Sequence, residues 1–440
     1  VIYKTIPRHS KKREYVYACN TWPGWWDEKG TLTATYDFLK RFCGVRWLNW
    51  TDYGTDYPVK KTLIVSGGYI KRAPAFKYRD VLTYINLEGF DSACSLWHPR
   101  SKGYKKYEEA AFARTHANFP SQWIYRVYAK RNMTKAYLYR NLVGGEKFGA
   151  NHSLYNFYDR FWKKNPKNPN VFKGHRPKWF AQGNMYKARP TQLCYSNPEV
   201  VEQVIKDANA WFEGKPLNPY NGKVMKDENR NRFWGKNFFA VVPMDNHRWC
   251  KCPQCQKQIK PYSTDSKFSN GRASDYIWGF VNKIARGLKK RHPDKMISAL
   301  AYSDYTHYPE HVKLEDNIAV QLCLPIRNVY NKPVQKNDWN ILSEWSGKEK
   351  GRPLYVWLYY CFPTEMCNRS KNPNTWHCFP GFFGHYIDKA FKKYYRSGVK
   401  GMFFNGFGQD VEAYVTFAML DNPNQNADDL IKEYFNRMYG

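Results

Sequence analysis

Eight short apolar runs alternating with helical stretches predict a TIM (β/α)8 barrel over residues 74–440, preceded at 1–73 by part of a small α/β domain. Three observations carry this. The runs have strand length, most are followed by apolar residues at helical spacing, and polar residues close several runs where a barrel opens its mouth.

The leading unit begins with Thr31 to Phe42, whose apolar positions Leu32, Tyr36, Phe38, Leu39 and Phe42 stop before Gly44, the pattern of a helix ended by glycine. Val45 to Leu48 and Thr62 to Val65 read as its strands, and Ala73-Pro74 marks its boundary. The expected barrel strands are Phe76 to Asp80, Lys147 to His152, Thr191 to Ser196, Phe238 to Asn246, Ile297 to Asp304, Ile318 to Pro325, Leu354 to Tyr360 and Gly401 to Gly406. The expected helices are Pro198 to Phe212, Ser274 to Arg291, Phe382 to Ser397, Asp410 to Leu420 and Asp428 to Gly440. The long aromatic insertion after the first strand, and Asn165 to Lys187 with its Pro, Asn and Lys, are loops expected to wall a substrate groove at the strand C-termini.

Composition narrows the function classes. Of 440 residues, 42% are hydrophobic and 18% aromatic, enough buried area to exclude global disorder. No window approaches the roughly 20 apolar residues of a spanning helix, so no transmembrane segment is expected. The 70 Lys and Arg against 38 Asp and Glu give a net charge of +32, a field that concentrates anions. That charge is scattered, and no helix-turn-helix, zinc-finger or RNP-like pattern accompanies it, which argues against specific nucleic-acid recognition. An acidic or sulfated polysaccharide suits the same field, as does a plain solvated basic surface. The chain opens at Val1 with no initiator Met or signal-like leader, so an excerpt of a longer protein is expected.

A polar residue closing an apolar strand is aimed into a barrel's mouth, and Asp245 does so after Phe238 to Met244. Such a carboxylate suits a general acid, a base or a stabiliser of a developing cation; the competing role is a turn or cap. Asp304 and Glu365 are the candidate partners, while Asp410 and Glu412 read as caps of the following helix. Arg79 and His152, at the ends of the first two strands, are candidate sugar-hydroxyl ligands against an equally good structural role. Asn246 and Tyr302 neighbour the acids, and Trp249, Trp357 and Tyr359 suit stacking on a pyranose ring. Eleven cysteines cannot all pair in one chain, and those within Gln192 to Tyr195 and Val320 to Leu324 read as small core residues. Cys250, Cys252 and Cys255 place three sulfurs within six residues, which suits a structural zinc. The fourth ligand stays open: His247, or a remote Cys or His. A disulfide with a free thiol, or three thiols packing a loop, are the other readings.

Leu32 to Leu39 with Gly44-Val45-Arg46-Trp47, then Pro74 to Arg79, resembles the junction of a small α/β domain and a catalytic barrel in hexosaminidase-like and α-glucuronidase-like glycoside hydrolases. Pro243-Met244-Asp245-Asn246 with the cysteine group, Ala301-Tyr302, and the closing Glu433-Tyr434-Phe435 with Tyr439-Gly440 resemble the bacterial family called domain of unknown function 4838. That family overlaps glycoside hydrolase family 163, characterised as endo-β-N-acetylglucosaminidase. The resemblance covers nearly the whole chain and implies a glycosidase barrel acting on an oligo- or polysaccharide. It implies a secreted, periplasmic or cell-surface location and no cofactor for catalysis. In the related hexosaminidases an Asp-Glu pair stands at the Asp245 position, the Asp orienting the substrate acetamido group and the Glu acting as acid. Here Asn246 follows Asp245, so another strand must supply the acid, or the barrel binds glycan without cleaving it. Arg79 matches the family's sugar-binding arginine.

Overall fold

The computed structural model describes residues 23–50, 52–59, 61–65, 67–81, 135–225, 234–262, 268–324, 330–360, 383–405, 407 and 410–440. Helix α1 (Gly30–Arg41) precedes an antiparallel pair, β1 (Arg46–Trp47) and β2 (Thr55–Asp56). The strands β3 (Tyr78–Val81) and β4 (Gly144–Gly145), the hairpin β5 (Met185–Tyr186) and β6 (Arg189–Pro190), then β7 (Phe238–Ala240), β8 (Met296–Ala301), β9 (Ile318–Leu324), β10 (Leu354–Leu358) and β11 (Val399–Phe404) follow. Seven of them form the central sheet in the order β4-β3-β11-β10-β9-β8-β7, parallel throughout except for the β4 edge.

The order carries half of the barrel signature. The first and last parallel strands, β3 and β11, pair side by side as ring closure requires. That contact is tight enough that a Cβ on Gly401 would come within 2.1 Å of the Tyr78 carbonyl oxygen, so glycine is needed there. The expectation of a closed eight-stranded barrel is corrected, however: the sheet is open between β4 and β7. The two runs expected to be strands two and three have their hydrogen bonds met elsewhere. In the first, the Ser298 hydroxyl donates to the Gly149 carbonyl oxygen (2.5 Å), and Ser153 reaches Ala240 O through its hydroxyl (2.7 Å) and Val242 O through its N–H (3.2 Å). In the second, Ala181 and Cys194 exchange backbone bonds with Gln192 and Trp179, making a local pairing separate from the sheet.

Residues 146–153 nevertheless fill the gap. Phe148 stacks on Tyr355 at 3.8 Å and meets Tyr78 and Phe238 edge-on at 5.4 and 5.1 Å. Tyr78 belongs to one side of the sheet and Phe238 to the far edge, so one ring joins both and the sheet must curl around it. Leu300, Ala319, Cys323, Trp357 and Phe403 join this inner cluster with Ala150 and Val242, the strand residues alternating with residues of the outer core such as Ala299, Val320, Leu322 and Phe404.

Helices cover the outer face: α2 (Pro198–Phe212), α3 (Ser274–Lys289), α4 (Lys332–Lys348), α5 (Gly384–Arg396), α6 (Asp410–Asp421) and α7 (Ala427–Tyr439). In α3 the buried Ile277, Val281, Ile284 and Leu288 recur every three or four residues, the stripe a sheet-facing helix needs. In α2 the Asn197 side chain accepts the Glu199 N–H (2.9 Å) with Pro198 just inside the start. Helix α4 is absent from the expected set because its stripe is weak, with only Asp338, Ile341, Leu342 and Trp345 buried. The leading region packs on α6 and α7 through Arg46–Glu433 (2.8 Å) and Arg72–Asp421 (2.6 Å), and Trp47 and Leu48 enter the main core. Among the described residues no helix is long and apolar enough to cross a membrane.

The Phe148 ring is buried and touches both sides of the sheet opening. Phe148→Ala should therefore lower unfolding stability by about 3–5 kcal/mol, read as a fall in urea midpoint with an unchanged slope.

Candidate functional site

The mouth at the strand C-termini is built around Asp245. Beyond β7 the chain runs on extended, with the Val241 N–H still donating to Ser298 O (2.9 Å), and then turns at Asp245. The turn is braced from below. Gln192 Nε2 donates to both Met244 O and Asn246 O (2.7 Å each), while Gln192 Oε1 accepts the Met244 N–H (3.2 Å). Asn246 is part of the brace: its amide donates to Thr191 O (3.0 Å) and its oxygen accepts the Arg248 N–H (3.1 Å). The Asp245 N–H donates to the Tyr155 hydroxyl (2.9 Å), which leaves the carboxylate open, with 55% of the side chain exposed.

His152 and Tyr302 converge on that carboxylate. His152 Nε2 and the Tyr302 hydroxyl each lie 3.3 Å from Asp245 Oδ1, and the two rings meet edge-on at 5.6 Å. His152 Nδ1 sits 2.6 Å from Pro243 O, a carbonyl that can only accept, so Nδ1 carries a proton. The hydrogen bond from His152 is the main cause that holds the Asp245 carboxyl below its ordinary range; partial burial opposes it, and the histidine charge and Tyr302 add to it. Asp245 is thus ionised at neutral pH. It suits a nucleophile, a base or a stabiliser of positive charge better than a proton donor.

The floor is aromatic. Trp357 and Tyr359 stack at 5.6 Å with planes 15° apart, and Phe403 meets Trp357 edge-on at 4.6 Å. Tyr359 is hydrogen-bonded with the Cys323 thiol, and burial raises that thiol far above its ordinary value, so Cys323 is an inert neighbour. Trp249 lies deeper, its indole N–H on Asp304.

Two expected site residues have other roles. Asp304 is buried, and its oxygens are taken by Arg272 (2.7 Å), Trp249 (3.0 Å) and Asn270 (3.2 Å), which makes it the anchor of the loop behind Asp245. The divergence from Tyr302 comes at Ser303, whose φ of 53° lies in the left-handed region and turns the chain between them. Arg79 is buried too, with its guanidinium on Phe76 O (2.5 Å) and Leu142 O (2.6 Å). Its neighbour Asp80 shares the inner face with Tyr78, whose hydroxyl donates to it at 3.4 Å, and stands in register with Phe403. Pleat parity is the signal that would have selected Asp80 over Arg79. Glu365 lies outside the described residues. Two open clefts of about 540 and 450 Å³ sit elsewhere, over Leu430 and between Arg272 and Glu344, and neither includes Asp245.

The cysteine group is four sulfurs. Cys194, from the run opposite the Asp245 turn, joins Cys250, Cys252 and Cys255, all within 4.8 Å of one another. The sequence reading treats Cys194 as core packing because it sits between Leu193 and Tyr195.

The family described as Domain of unknown function (DUF4838) matches residues 49–440. The chain belongs to it. No curated protein matches this DUF4838 chain. Among solved structures, a family 89 glycoside hydrolase from Clostridium perfringens, in complex with 2-acetamido-1,2-dideoxynojirmycin, is similar at 12% identity and a TM-score of 0.38. The similarity covers 93% of this chain and 44% of that one, so the chain spans less than half of that protein's length.

The His152–Asp245 pair fixes a pH response. Followed by carbon-detected NMR, the Asp245 carboxyl should titrate below the ordinary value of about 3.9, and His152→Ala should bring the midpoint up. A carboxyl held low contributes stability above its unfolded pKa and loses it as pH falls through its folded value. The wild type should therefore be more acid-sensitive in this pairing than the His152→Ala variant.

Proposed function

We propose that this chain is a glycoside hydrolase acting on complex or anionic glycans, endo-β-N-acetylglucosaminidase-like, with Asp245 as its charged centre. The observation that carries the reading is an ionised, open carboxylate at the turn beyond β7, oriented by His152 and Tyr302 beside stacked Trp357 and Tyr359. Stacked aromatic faces suit the apolar side of a pyranose. A carboxylate held ionised beside them suits the oxocarbenium-like centre that forms when a glycosidic bond breaks, either directly or by orienting a substrate acetamido group.

The leaving oxygen needs a proton, and Asp245 is the wrong donor for it. Asp80, on the inner face of β3, and Glu365 are the acids assigned to that step. An anionic substrate is supported by the cations beside the Asp245 turn. Arg189 lies over Tyr158 at 4.5 Å, and Lys187 and Arg248 lie over Tyr186 at 5.3 and 5.8 Å. Among the described residues none of the three has a carboxylate within ion-pair distance. The family resemblance adds a secreted, periplasmic or cell-surface location.

A second reading, a glycan-binding barrel without turnover, is favoured by Asn246. It stands where related hexosaminidases carry the acid, and its amide is spent on Thr191 and Arg248. Reducing-end release from N-glycans, acetylated aminoglycans and uronic or sulfated polysaccharides separates the two. Asp245→Asn should lower turnover by about 10²–10⁴-fold with binding retained, and Asp80→Asn or Glu365→Gln should lower it comparably for the true donor. Binding with no release on any substrate, undiminished in Asp245→Asn, would establish the binding module instead.

A further inference from the structure

The four sulfurs behind the Asp245 turn form a site in their own right, independent of what the mouth cleaves. Cys250, Cys252 and Cys255 come from one loop, with Cys252 opening the one-turn helix Pro253–Gln256 and Cys255 inside it. Cys194 arrives from the segment that also carries Gln192, the residue bracing the Asp245 turn. All four are free thiols. Cys194 Sγ lies 3.8 Å from Cys252 Sγ and 3.6 Å from Cys255 Sγ. A zinc ion with four sulfurs at about 2.3 Å places those sulfurs about 3.8 Å apart at the corners of a tetrahedron. The observed separations are those of a ligand set already gathered.

The surroundings fit thiolates. The Gln182 N–H donates to Cys250 Sγ at 3.3 Å, the Tyr276 hydroxyl donates to Cys255 Sγ at 3.0 Å, and Ser196 Oγ lies 3.3 Å from the same sulfur. Donors aimed at sulfur are what a metal-bound thiolate uses to spread its charge. Cys194, Cys250 and Cys255 are buried and Cys252 is half-buried, and a closed four-sulfur set leaves no position for substrate or water.

We propose that Cys194, Cys250, Cys252 and Cys255 bind one structural zinc ion, which pins the segment carrying Gln192 to the loop that follows Asp245. The ion has no part in bond cleavage, since its four ligands are all protein sulfurs. Its work is to fix the brace under the Asp245 turn.

The test measures metal in the purified full chain by mass spectrometry. One zinc per chain is expected, released to a chromogenic chelator as a mercurial titrates the thiols. Cys194→Ser should retain zinc at least tenfold less well against a competing chelator, whereas Cys43→Ser, with a free thiol outside the cluster, should retain it as the wild type does. Tyr276→Phe should weaken retention by about tenfold through loss of the donor to Cys255. Cobalt substitution of the wild type keeps the test decisive if Cys194→Ser fails to fold, because its absorption distinguishes a tetrahedral tetrathiolate from fewer sulfurs. Wild-type protein without zinc, iron in its place, a cobalt spectrum with fewer than four thiolates, or unchanged retention in Cys194→Ser would each overturn the proposal.

Discussion

A parallel sheet must be covered on both faces, and an open ring of strands leaves its inner face to be covered by something other than strands. Here the requirement falls on Phe148. Its ring lies against Tyr355 at the centre of the sheet and against Tyr78 and Phe238 on opposite sides. The curl that brings the strand C-termini around a common mouth depends on this contact. So does the position of His152, four residues further along the same segment, which meets Asp245 only because residues 146–153 rise through the opening. Packing and chemistry thus share one stretch of chain.

How far the sequence could be read depended on which physical signal each element carries. Helices α2, α3, α5 and α7 were legible because a buried stripe at three and four residues has no other simple explanation; α1 carries the same apolar spacing without a fully buried residue, and α6 is buried on every side. Strands β8 to β11 were legible as apolar runs, and their alternation between inner and outer cores follows from the pleat. The runs 147–152 and 191–196 look the same in composition, yet the hydrogen bonds in and beside them go to Ser298, Ala240, Val242 and Trp179, partners that no local pattern announces. Asp245 stands out in the sequence because it ends the apolar run whose first residues form β7. Arg79 and Asp304 are buried and hydrogen-bonded within the fold for reasons one residue wide: pleat parity turns Asp80 inward, not Arg79, and the left-handed Ser303 parts Asp304 from Tyr302.

The electrostatics of the mouth follow from an imbalance between local and global charge. The chain is strongly basic, but the carboxylate at its mouth is governed by contacts of 3.3 Å, where a histidine and a tyrosine hydroxyl outweigh the cost of partial burial. Long-range positive charge on a solvated surface is screened within about 8 Å at physiological ionic strength. The net charge therefore acts on what approaches the mouth, and His152 on what Asp245 does there. This division explains why composition speaks to the field around the chain while saying nothing about which carboxylate is held ionised at the mouth.

The four-sulfur site has a structural reason to be where it is. Neighbouring strands in a complete barrel hold the loops above them by continuous ladders of backbone bonds, and the missing strand positions between β4 and β7 remove that support from the loops that follow. Cys194 stands in one of the two runs that do not join the sheet, and Cys250 to Cys255 follow β7, the buried strand at the sheet's other edge. Bonds through a metal at this point join two segments that the sheet leaves unjoined. The side-chain bonds of Gln192, Thr191 and Asn246 span the same gap a few residues away. Cross-links and side chains together replace the ladder, and the Asp245 turn hangs between them. A turn held this way keeps its geometry without a strand on its open side, which leaves the Asp245 carboxylate accessible there.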